Sequence, residues 1–151
     1  MSFPAELEVL VELPRLHFVK RREDGSVDFV SPLPCPFNYG SVPNTRAPDG
    51  DREDAIVLGP RVSKGSTLRL PVFGRVHFFD AGVYDGKWIC GHSFSAGDRR
   101  ALVLFFSIYA LAKRALNRVR RLPGSTRFAG VELALDTRHA ATTATTQTPE
   151  V

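Results

Sequence analysis

Cysteine is scarce in this chain of 151 residues, which has only Cys35 and Cys90. The two lie far apart and form no CxxC pair, so the sequence does not indicate a disulfide framework, although a bridge between them stays an alternative. A zinc site built from Cys35, Cys90 and His92 is also disfavoured, because nothing in the sequence brings their loops together. This cysteine usage suits a reducing compartment, and we expect a cytoplasmic protein.

Long hydrophobic runs are lacking as well. The first residues, MSFPAELEVLVELP, carry Glu6, Glu8 and Glu12 instead of a basic segment followed by an apolar one, so we expect no secretory signal. The most apolar stretch, ALVLFFSIYALA over residues 101–112, is shorter than the roughly 20 apolar residues that a helix needs to cross a bilayer. We expect it to be buried against a sheet and against a neighbouring subunit.

The excess of one charge sign is small: 20 lysines and arginines face 16 acidic residues, a formal charge of +4. Much of this excess lies in KRALNRVRR, residues 113–121, where cations complement the dipole at the C-terminus of a helix. The chain shows no basic stripe interleaved with aromatic residues, so we expect no nucleic-acid partner.

Alternating apolar residues predict strands along much of the chain. The segment ELEVLVEL is the clearest case, and LHFVKRR with VDFV predicts a hairpin in which Lys20 and Arg22 share a face. Further strands are predicted in AIVLG, STLRLPVFGRVHFFD, VYDGKWIC and FAGVELAL, after a long ordered loop over residues 31–51. The sequence therefore predicts a mainly β (α+β) protein whose largely antiparallel sheet curls into a small barrel.

One long helix is predicted in the second half of the chain. Ser95 followed by Asp98 is typical of a capping box, and the helical pattern continues to Arg121. The chain fits a single domain, which we place over residues 1–136. Residues 137–151 are rich in Thr and Ala and have almost no large apolar side chains, so we predict a disordered tail there.

Acidic residues cluster in two short motifs. They are Asp49, Asp51 and Asp54 in APDGDREDAIVLG and Asp80 and Asp85 in DAGVYDGK. Solvated turns are one explanation, because Asp-Gly pairs are common in turns between strands. If the motifs meet instead, bare carboxylates about 4 Å apart would repel by about 4 kcal/mol at an effective dielectric of about 20. Divalent cations would reverse the sign of this interaction, and Glu12 could join as a sixth carboxylate.

An all-oxygen ligand set favours Mg²⁺, with Mn²⁺ as the alternative, over zinc. The first motif does not match an EF-hand, whose closing Glu would fall at Pro60. Three nearby cations, Lys20, Arg22 and Lys87, would bind negative charge that the metals leave over. Clustered acids among cations are typical of metal-assisted phosphoryl transfer, so the sequence indicates a substrate that contains phosphate.

A wider pattern emerges from five segments in chain order: VELP with Glu12, a lysine at position 20, PFNYGSVPNTRAPDGDREDAIVL, GSTLRLPVFGRV and DAGVYDGK. Together they resemble the soluble family I inorganic pyrophosphatases from about residue 8 to residue 135. The resemblance implies a five-stranded OB-like antiparallel barrel with one long helix in the C-terminal half. It also implies Mg²⁺-dependent hydrolysis of pyrophosphate to two phosphates, and a homo-oligomer that is hexameric in most bacteria.

The resemblance further implies roles for individual residues. Asp51 would hold and deprotonate the attacking water. The implied metal ligands are Asp49, Asp54, Asp80 and Asp85, with Glu12 acting through the outer shell. The implied phosphate-binding residues are Lys20, Lys87, Tyr39 and Tyr109, the last by its place in FFSIYALAKR.

The chain departs from the family pattern on the substrate side. One acid of the pattern is replaced by Arg22, a phosphate-binding aromatic by Cys35, and the lysine after the helix tyrosine by Ala110. We hypothesise that Arg22 replaces an arginine that the pattern has after the third strand, which has no counterpart in VDFVSPL. Lys113, one helical turn beyond Tyr109, would similarly replace the missing lysine.

Two other functions stay open. A hydrolase of this fold could act on another phosphoanhydride, or with weakened activity, because its phosphate-binding residues differ. A non-catalytic OB-like module could instead bind metal, nucleotide or nucleic acid, with Tyr39 and Tyr109 as mere core aromatics. Asp51 argues against the second alternative, because binding alone needs no carboxylate that activates water.

Overall fold

The computed structural model describes residues 3–16, 19–21, 26–30 and 35–134, with the backbone alone for 19–21 and 27–30. The predicted tail over residues 137–151 lies outside the described residues. The elements in chain order are β1 Glu6–Leu13, β2 Val19–Arg21, β3 Val27–Val30, β4 Asn38–Val42, β5 Glu53–Val57, β6 Thr67–Asp80, β7 Val83–Tyr84, β8 Lys87–Cys90, α1 Ala96–Val119 and β9 Arg127–Leu133.

Five strands, β1, β4, β5, β8 and β6, pair in a closed ring, because β6 pairs both with β8 and with β1. Strands β7 and β9 pair with β6, and β2 and β3 form a separate hairpin. The predicted mainly β fold with five ring strands and one long helix is confirmed. Two details differ. Strand β4 lies inside the segment over residues 31–51 that was predicted as a loop, because its backbone pairs with β1 on one side and with β5 on the other. In addition, β5 and β8 run parallel. Strand directions cannot alternate all the way around a ring of odd number, so at least one neighbouring pair must be parallel.

The long helix α1 begins with the predicted capping box. The Ser95 hydroxyl accepts a hydrogen bond from the Asp98 N–H at 3.1 Å, and the Asp98 carboxylate accepts one from the Ser95 N–H at 2.9 Å. The helix runs for 24 residues and ends at Val119, slightly before the predicted end. In the described part of the chain, no helix is long and apolar enough to span a membrane.

The ring separates two hydrophobic cores. One is formed inside the ring by Val9, Val42, Ala55, Val57, Leu70, Val72, Trp88 and Cys90. The other lies between the outer face of the ring and α1, and includes Ile56, Val76, Phe78, Ile89, Leu102, Phe106 and Tyr109. Successive residues of β5 and β8 therefore serve different cores, as alternation along a strand requires. Asp54 and Lys87 each stand two residues before an isoleucine of the outer core, so both face α1.

Candidate active site

A row of polar side chains crosses the face of the ring that lies under α1. Ser41 of β4 is in register with Asp54 of β5, and Asp54 is in register with Lys87 of β8. On the other side of Ser41, the Glu12 carboxylate of β1 accepts a hydrogen bond from the Ser41 hydroxyl, with 2.9 Å between Oγ and Oε1. Strand pairing thus brings three predicted site residues, Glu12, Asp54 and Lys87, onto one face.

Lys87 is the buried centre of this row, with 4% of its surface exposed. Its Nζ lies 2.9 Å from Asp85 Oδ2 and 3.6 Å from Asp54 Oδ2, and donates to the backbone oxygen of Asp85 at 3.2 Å. Burial alone would lower the pKa of Lys87, but the two carboxylates outweigh it and raise the pKa above its ordinary value. Lys87 therefore carries a positive charge between acids from the two different motifs.

Two tyrosines lie against the same carboxylates. Lys87 Nζ is 5.8 Å from the centre of the Tyr39 ring, and the Tyr39 hydroxyl hydrogen-bonds Asp54. Tyr109 reaches the group from α1. Burial raises the pKa of both hydroxyls, and the charges of Asp54 and Asp85 raise it further. Both tyrosines are therefore protonated at neutral pH and can donate hydrogen bonds to phosphate oxygens.

Asp80 ends β6 and meets side chains of α1. Lys113 Nζ lies 3.0 Å from Asp80 Oδ2, while Asn117 Nδ2 and Thr126 Oγ1 donate to Asp80 Oδ1 at 2.7 and 3.2 Å. Burial alone would raise the pKa of Asp80, but the hydrogen bonds from Asn117 and Lys113 outweigh it and hold the pKa below its ordinary value. Lys113 thus reaches the second acidic motif from the helical face that also carries Tyr109.

The first acidic motif begins with an exposed turn. The Asp49 carboxylate accepts a hydrogen bond from the Asp51 N–H at 3.0 Å, around Gly50, whose φ of 90° suits glycine. Beside the turn lies an open cavity of about 680 Å³, lined by Asn44, Thr45, Arg46, Gly50, Asp51 and Arg52. Asp51 is therefore open to water, whereas Asp54 is half-buried.

The predicted cage of carboxylates is not gathered around one point. Within the described residues, no three side chains of His, Cys, Asp or Glu lie close enough together to hold a metal ion. Instead, Asp54 and Asp85 share Lys87, and Asp80 pairs with Lys113. Electrostatics explains this arrangement, because each ammonium group neutralises carboxylates that would otherwise repel one another.

Two predicted phosphate-binding cations, Lys20 and Arg22, lie in or directly after β2 along the chain. Lys20 lies in β2, in register with Phe29 of β3. Its side chain, and all of Arg22, lie outside the described residues. The phosphate-binding roles of Lys20 and Arg22 therefore stay predictions.

The two cysteines are free thiols buried in different cores. Cys35 packs under α1, and Cys90 packs inside the ring. Burial raises the pKa of Cys35 to about 11 and that of Cys90 to about 12. The alternative of a bridge between them is not adopted in this structure, and thiols with such pKa values are poor nucleophiles and metal ligands at neutral pH.

The sequence of the ring and the helix matches a known family. The family model described as inorganic pyrophosphatase matches residues 9–119. The chain belongs to the inorganic pyrophosphatase family. The family predicted from the sequence motifs is thereby confirmed.

Curated relatives in the pyrophosphatase family match part of this sequence. The inorganic pyrophosphatase 1 of Pseudomonas syringae pv. tomato is 36% identical over 97 residues, which are 58% of this chain and 55% of that protein. An inorganic pyrophosphatase of Gluconobacter oxydans is 36% identical over 97 residues, 59% of this chain and 56% of that protein. The chain thus spans little more than half the length of these curated relatives.

A solved structure extends the comparison of folds. The inorganic pyrophosphatase of Coxiella burnetii is 26% identical, with a TM-score of 0.68, and the match covers 91% of this chain and 92% of that chain. The closed ring and the helix across it are therefore the architecture of a pyrophosphatase.

Members of this family work with a divalent metal ion, and Asp54 and Asp85 offer it two carboxylates. Asp54 and Asp85 both approach the ammonium of Lys87, so their carboxylates already converge where positive charge is stable. Carboxylate oxygens are the ligands that hard divalent cations prefer. The donor set therefore agrees with the metal that the pyrophosphatase family requires.

Three polar residues that hydrogen-bond to predicted site residues were not expected from the sequence. Ser41 shares a strand face with Tyr39, so alternation along β4 could have identified it. Asn117 lies four residues after Lys113, a spacing that places both on one helical face. Thr126 gives no signal in the sequence, because the segment that precedes β9 reaches Asp80 only in the folded chain.

Proposed function

We propose that this chain hydrolyses inorganic pyrophosphate to two phosphates, with Mg²⁺ as its cofactor and Mn²⁺ as the alternative. The observation that carries the proposal is the buried ammonium of Lys87 between Asp54 and Asp85, next to two tyrosine hydroxyls. A substrate with several anionic oxygens suits this group, because the cation and the hydroxyls can bind oxygens while the carboxylates bind the accompanying metal.

We assign the metal first to Asp54 and Asp85, with Asp49 and Glu12 as the further ligands predicted from the sequence. A bound divalent cation lowers the pKa of a coordinated water and neutralises phosphate charge. Glu12 is supported in this role by the hydrogen bond from Ser41, which fixes the direction of its carboxylate on the row. Asp80, also predicted as a ligand, already has three protein donors.

Substrate binding is assigned to the cations and hydroxyls of the row and of α1. Lys87, Tyr39 and Tyr109 would donate to phosphate oxygens, and Lys20 and Arg22 remain predicted partners. Lys113 would supply the charge that Ala110 cannot, since it is buried on the same helical face as Tyr109. Charge-assisted hydrogen bonds from these groups would stabilise the leaving phosphate.

Asp51 is assigned as the general base. It is exposed beside the open cavity, so water can reach its carboxylate. A water oxygen would form a bond to one phosphorus while the bond from that phosphorus to the bridging oxygen breaks. The proton of the water would pass to Asp51, and the bridging oxygen would leave with the second phosphate.

The direct test is phosphate release from pyrophosphate with Mg²⁺, for the native protein and for Asp51→Asn. Loss of a general base should lower kcat by about a hundredfold to a thousandfold. Glu8→Gln is a matched control at an exposed position of β1, four residues before Glu12 and outside the row, and should release phosphate at the native rate. Phosphate release at the Asp51→Asn background by the native protein would overturn the proposal.

The same assay distinguishes the alternative substrates. Tripolyphosphate and a nucleoside triphosphate are offered beside pyrophosphate, because Cys35 and Ala110 replace phosphate-binding side chains of the family pattern. Faster release from either than from pyrophosphate would assign the chain to another phosphoanhydride. Metal binding without release from any of them would support a non-catalytic module.

We also propose that the chain forms a homo-oligomer, a hexamer by family resemblance, through the outer face of α1. That face exposes four large apolar side chains, Val103, Leu104, Ile108 and Leu111. Their spacing forms one stripe along the helix, and a stripe of this kind is buried in most helices that contact another protein surface.

A cytoplasmic location is proposed on the basis of the thiols. Cys35 and Cys90 are both reduced and buried, as cysteines are in proteins of reducing compartments.

A further inference from the structure

A second buried polar group lies beside the row, where β6 ends against α1. Its centre is Asp80, and its other members are Lys113 and Asn117 of α1 and Thr126, which precedes β9. All three partners of Asp80 are buried. Sequence motifs alone treat Asp80 as equivalent to Asp85, but the structure gives the two carboxylates different surroundings.

The side-chain amide and hydroxyl donors of this group, from Asn117 and Thr126, are all used. Asn117 Nδ2 donates one hydrogen bond to Asp80 Oδ1 at 2.7 Å and a second to Thr126 Oγ1 at 2.9 Å. The Thr126 hydroxyl donates a hydrogen bond to Asp80 Oδ1 at 3.2 Å and accepts one from the Ala81 N–H at 3.0 Å. Lys113 occupies the remaining oxygen, Oδ2, at 3.0 Å. Both oxygens of Asp80 are therefore engaged by protein donors.

The orientation of the Asn117 amide also favours its hydrogen bond to Asp80. Its Oδ1 is buried and has no hydrogen-bond partner within the described residues. Rotating the amide would turn that oxygen toward the Asp80 carboxylate and lose the bond to Asp80. The side chain thus leaves one buried acceptor unsatisfied while it directs both amide protons into the group around Asp80.

Asp85 and Asp54 are arranged differently. They face each other across a single shared cation, Lys87, and their charges act on the hydroxyls of Tyr39 and Tyr109. Asp85 pairs with an ammonium that Asp54 also approaches, so a metal ion on Asp85 would leave Lys87 its second carboxylate. Withdrawing Asp80 from its own group would leave the buried donors of Asn117 and Thr126 unsatisfied, which is unfavourable.

We propose that Asp80 is a positioning residue that fixes the ammonium of Lys113 next to Tyr109, and that it does not ligate the metal directly. Asn117 and Thr126 fix Asp80 in turn. Lys113 then offers phosphate a cation held at one place, in compensation for Ala110. The inference rests on the proposed function for its substrate, pyrophosphate, but its claim about the metal is independent of that function.

The first part of the test is a titration of metal-free protein with Mn²⁺ by calorimetry. Asp85→Asn should weaken Mn²⁺ binding by about tenfold or more, whereas Asp80→Asn should leave affinity within about twofold and the number of bound ions unchanged. Loss of a bound ion in Asp80→Asn, or a fall in affinity equal to that of Asp85→Asn, would overturn the proposal. This measurement decides the role of Asp80 even if the native protein releases no phosphate from pyrophosphate, a result that would contradict the proposed function alone.

The second part measures KM and kcat for pyrophosphate in Asp80→Asn, Lys113→Met and the double variant. Each single change should raise KM by about tenfold with a smaller effect on kcat, and the double variant should be no worse than either single one, because both remove the same placed cation. Lys113→Arg, which keeps the charge, should recover part of the loss. Additive effects of the two changes would show that Asp80 and Lys113 act independently, and would contradict the proposal.

Lys113→Met still tests the proposal if Asp80→Asn does not fold. Thermal unfolding identifies any variant that has lost its structure. If only Lys113→Met folds, unchanged Mn²⁺ binding with a raised KM supports the assignment of Lys113. An unchanged KM in that variant overturns it.

Discussion

The Ser41 hydroxyl donates a 2.9 Å hydrogen bond to the Glu12 carboxylate across the β1–β4 pair. Ser41 is buried and in register with Asp54, so it joins a predicted outer ligand to a predicted direct ligand. The bond therefore fixes the direction of the Glu12 carboxylate, and would fix where Glu12 could act on a metal held by Asp54.

Replacing Ser41 by alanine should weaken this arrangement. The Glu12 carboxylate loses a donor, so the free energy of unfolding should fall by about 1–2 kcal/mol. The Mg²⁺ concentration that gives half of the maximal rate should rise, with little change in the maximal rate itself. Ser63→Ala, at an exposed position before β6, is the control and should change neither quantity. A Ser41→Ala protein with native Mg²⁺ dependence would show that the bond serves stability alone.

Lys87→Met should separate the stabilising role of the ammonium from its role in activity. Without it, Asp54 and Asp85 repel each other, and the free energy of unfolding should fall by about 3 kcal/mol. Phosphate release should fall by about a hundredfold or more. Urea unfolding with and without Mg²⁺ checks the cause, because the metal should restore more stability to Lys87→Met than to the native protein. The exposed Lys64→Met is the control, and an equal Mg²⁺ effect in all three proteins would contradict this explanation.

Because both thiols are buried, we predict that the free energy of unfolding falls at alkaline pH. The folded-state pKa values of Cys35 and Cys90 are raised from 9.0 to about 11 and about 12. Their contribution is complete below pH 9, where both states hold the protons. As pH rises further the unfolded chain loses its protons first, so the free energy of unfolding should fall by up to about 1.4 kcal/mol per pH unit for each thiol.

Urea unfolding at pH 8, 9 and 10 measures this fall. A variant with Cys35→Ala and Cys90→Ala should show a smaller difference between pH 9 and pH 10 than the native protein. A thiol reagent at pH 8 provides an independent check, since the folded protein should react slowly and the urea-unfolded protein should react at both cysteines. Equal pH dependence in the two proteins would exclude the thiols as its source.

The proposed oligomer should depend on the apolar stripe of α1. Leu104→Glu with Leu111→Glu places two charges on side chains that are 63% and 61% exposed, so the isolated fold should tolerate them. Light scattering after size-exclusion chromatography should then show smaller particles than for the native protein. Leu16→Glu, an equally exposed leucine far from α1 in the chain, should leave the mass unchanged. A native protein that is already monomeric would contradict the proposed assembly.

The fold could be predicted well from local patterns. Alternation placed β1, β5, β6 and β8, and the Ser95 capping box placed the start of α1, because both signals depend on near neighbours in the chain. The parallel pairing of β5 with β8 could not be read in this way, since it follows from the closure of the whole ring.

The contacts of the site also divide into those between near neighbours in the chain and those that form only in the whole fold. Asp85 and Lys87 lie two residues apart, so their meeting is local, and the spacing of the motifs indicated Asp54 as their partner. The surroundings of Asp80 were not predictable, because Asn117 and Thr126 come from segments that meet it only after α1 packs on the ring. Acidic spacing alone therefore identified where charge gathers, but not which carboxylate is already satisfied by protein donors.

The single parallel pair of the ring also explains why two distant acidic motifs meet. Asp54 is the second residue of β5 and Lys87 the first residue of β8, so each acidic segment leads into its strand. Parallel strands begin at the same edge of a sheet, and the loops that enter β5 and β8 therefore arrive side by side. Had the two strands run in opposite directions, the length of β5, about 16 Å at roughly 3.3 Å per residue, would separate them. The odd number of strands requires a parallel pair, and because that pair is β5 with β8, the acids of both motifs share one edge.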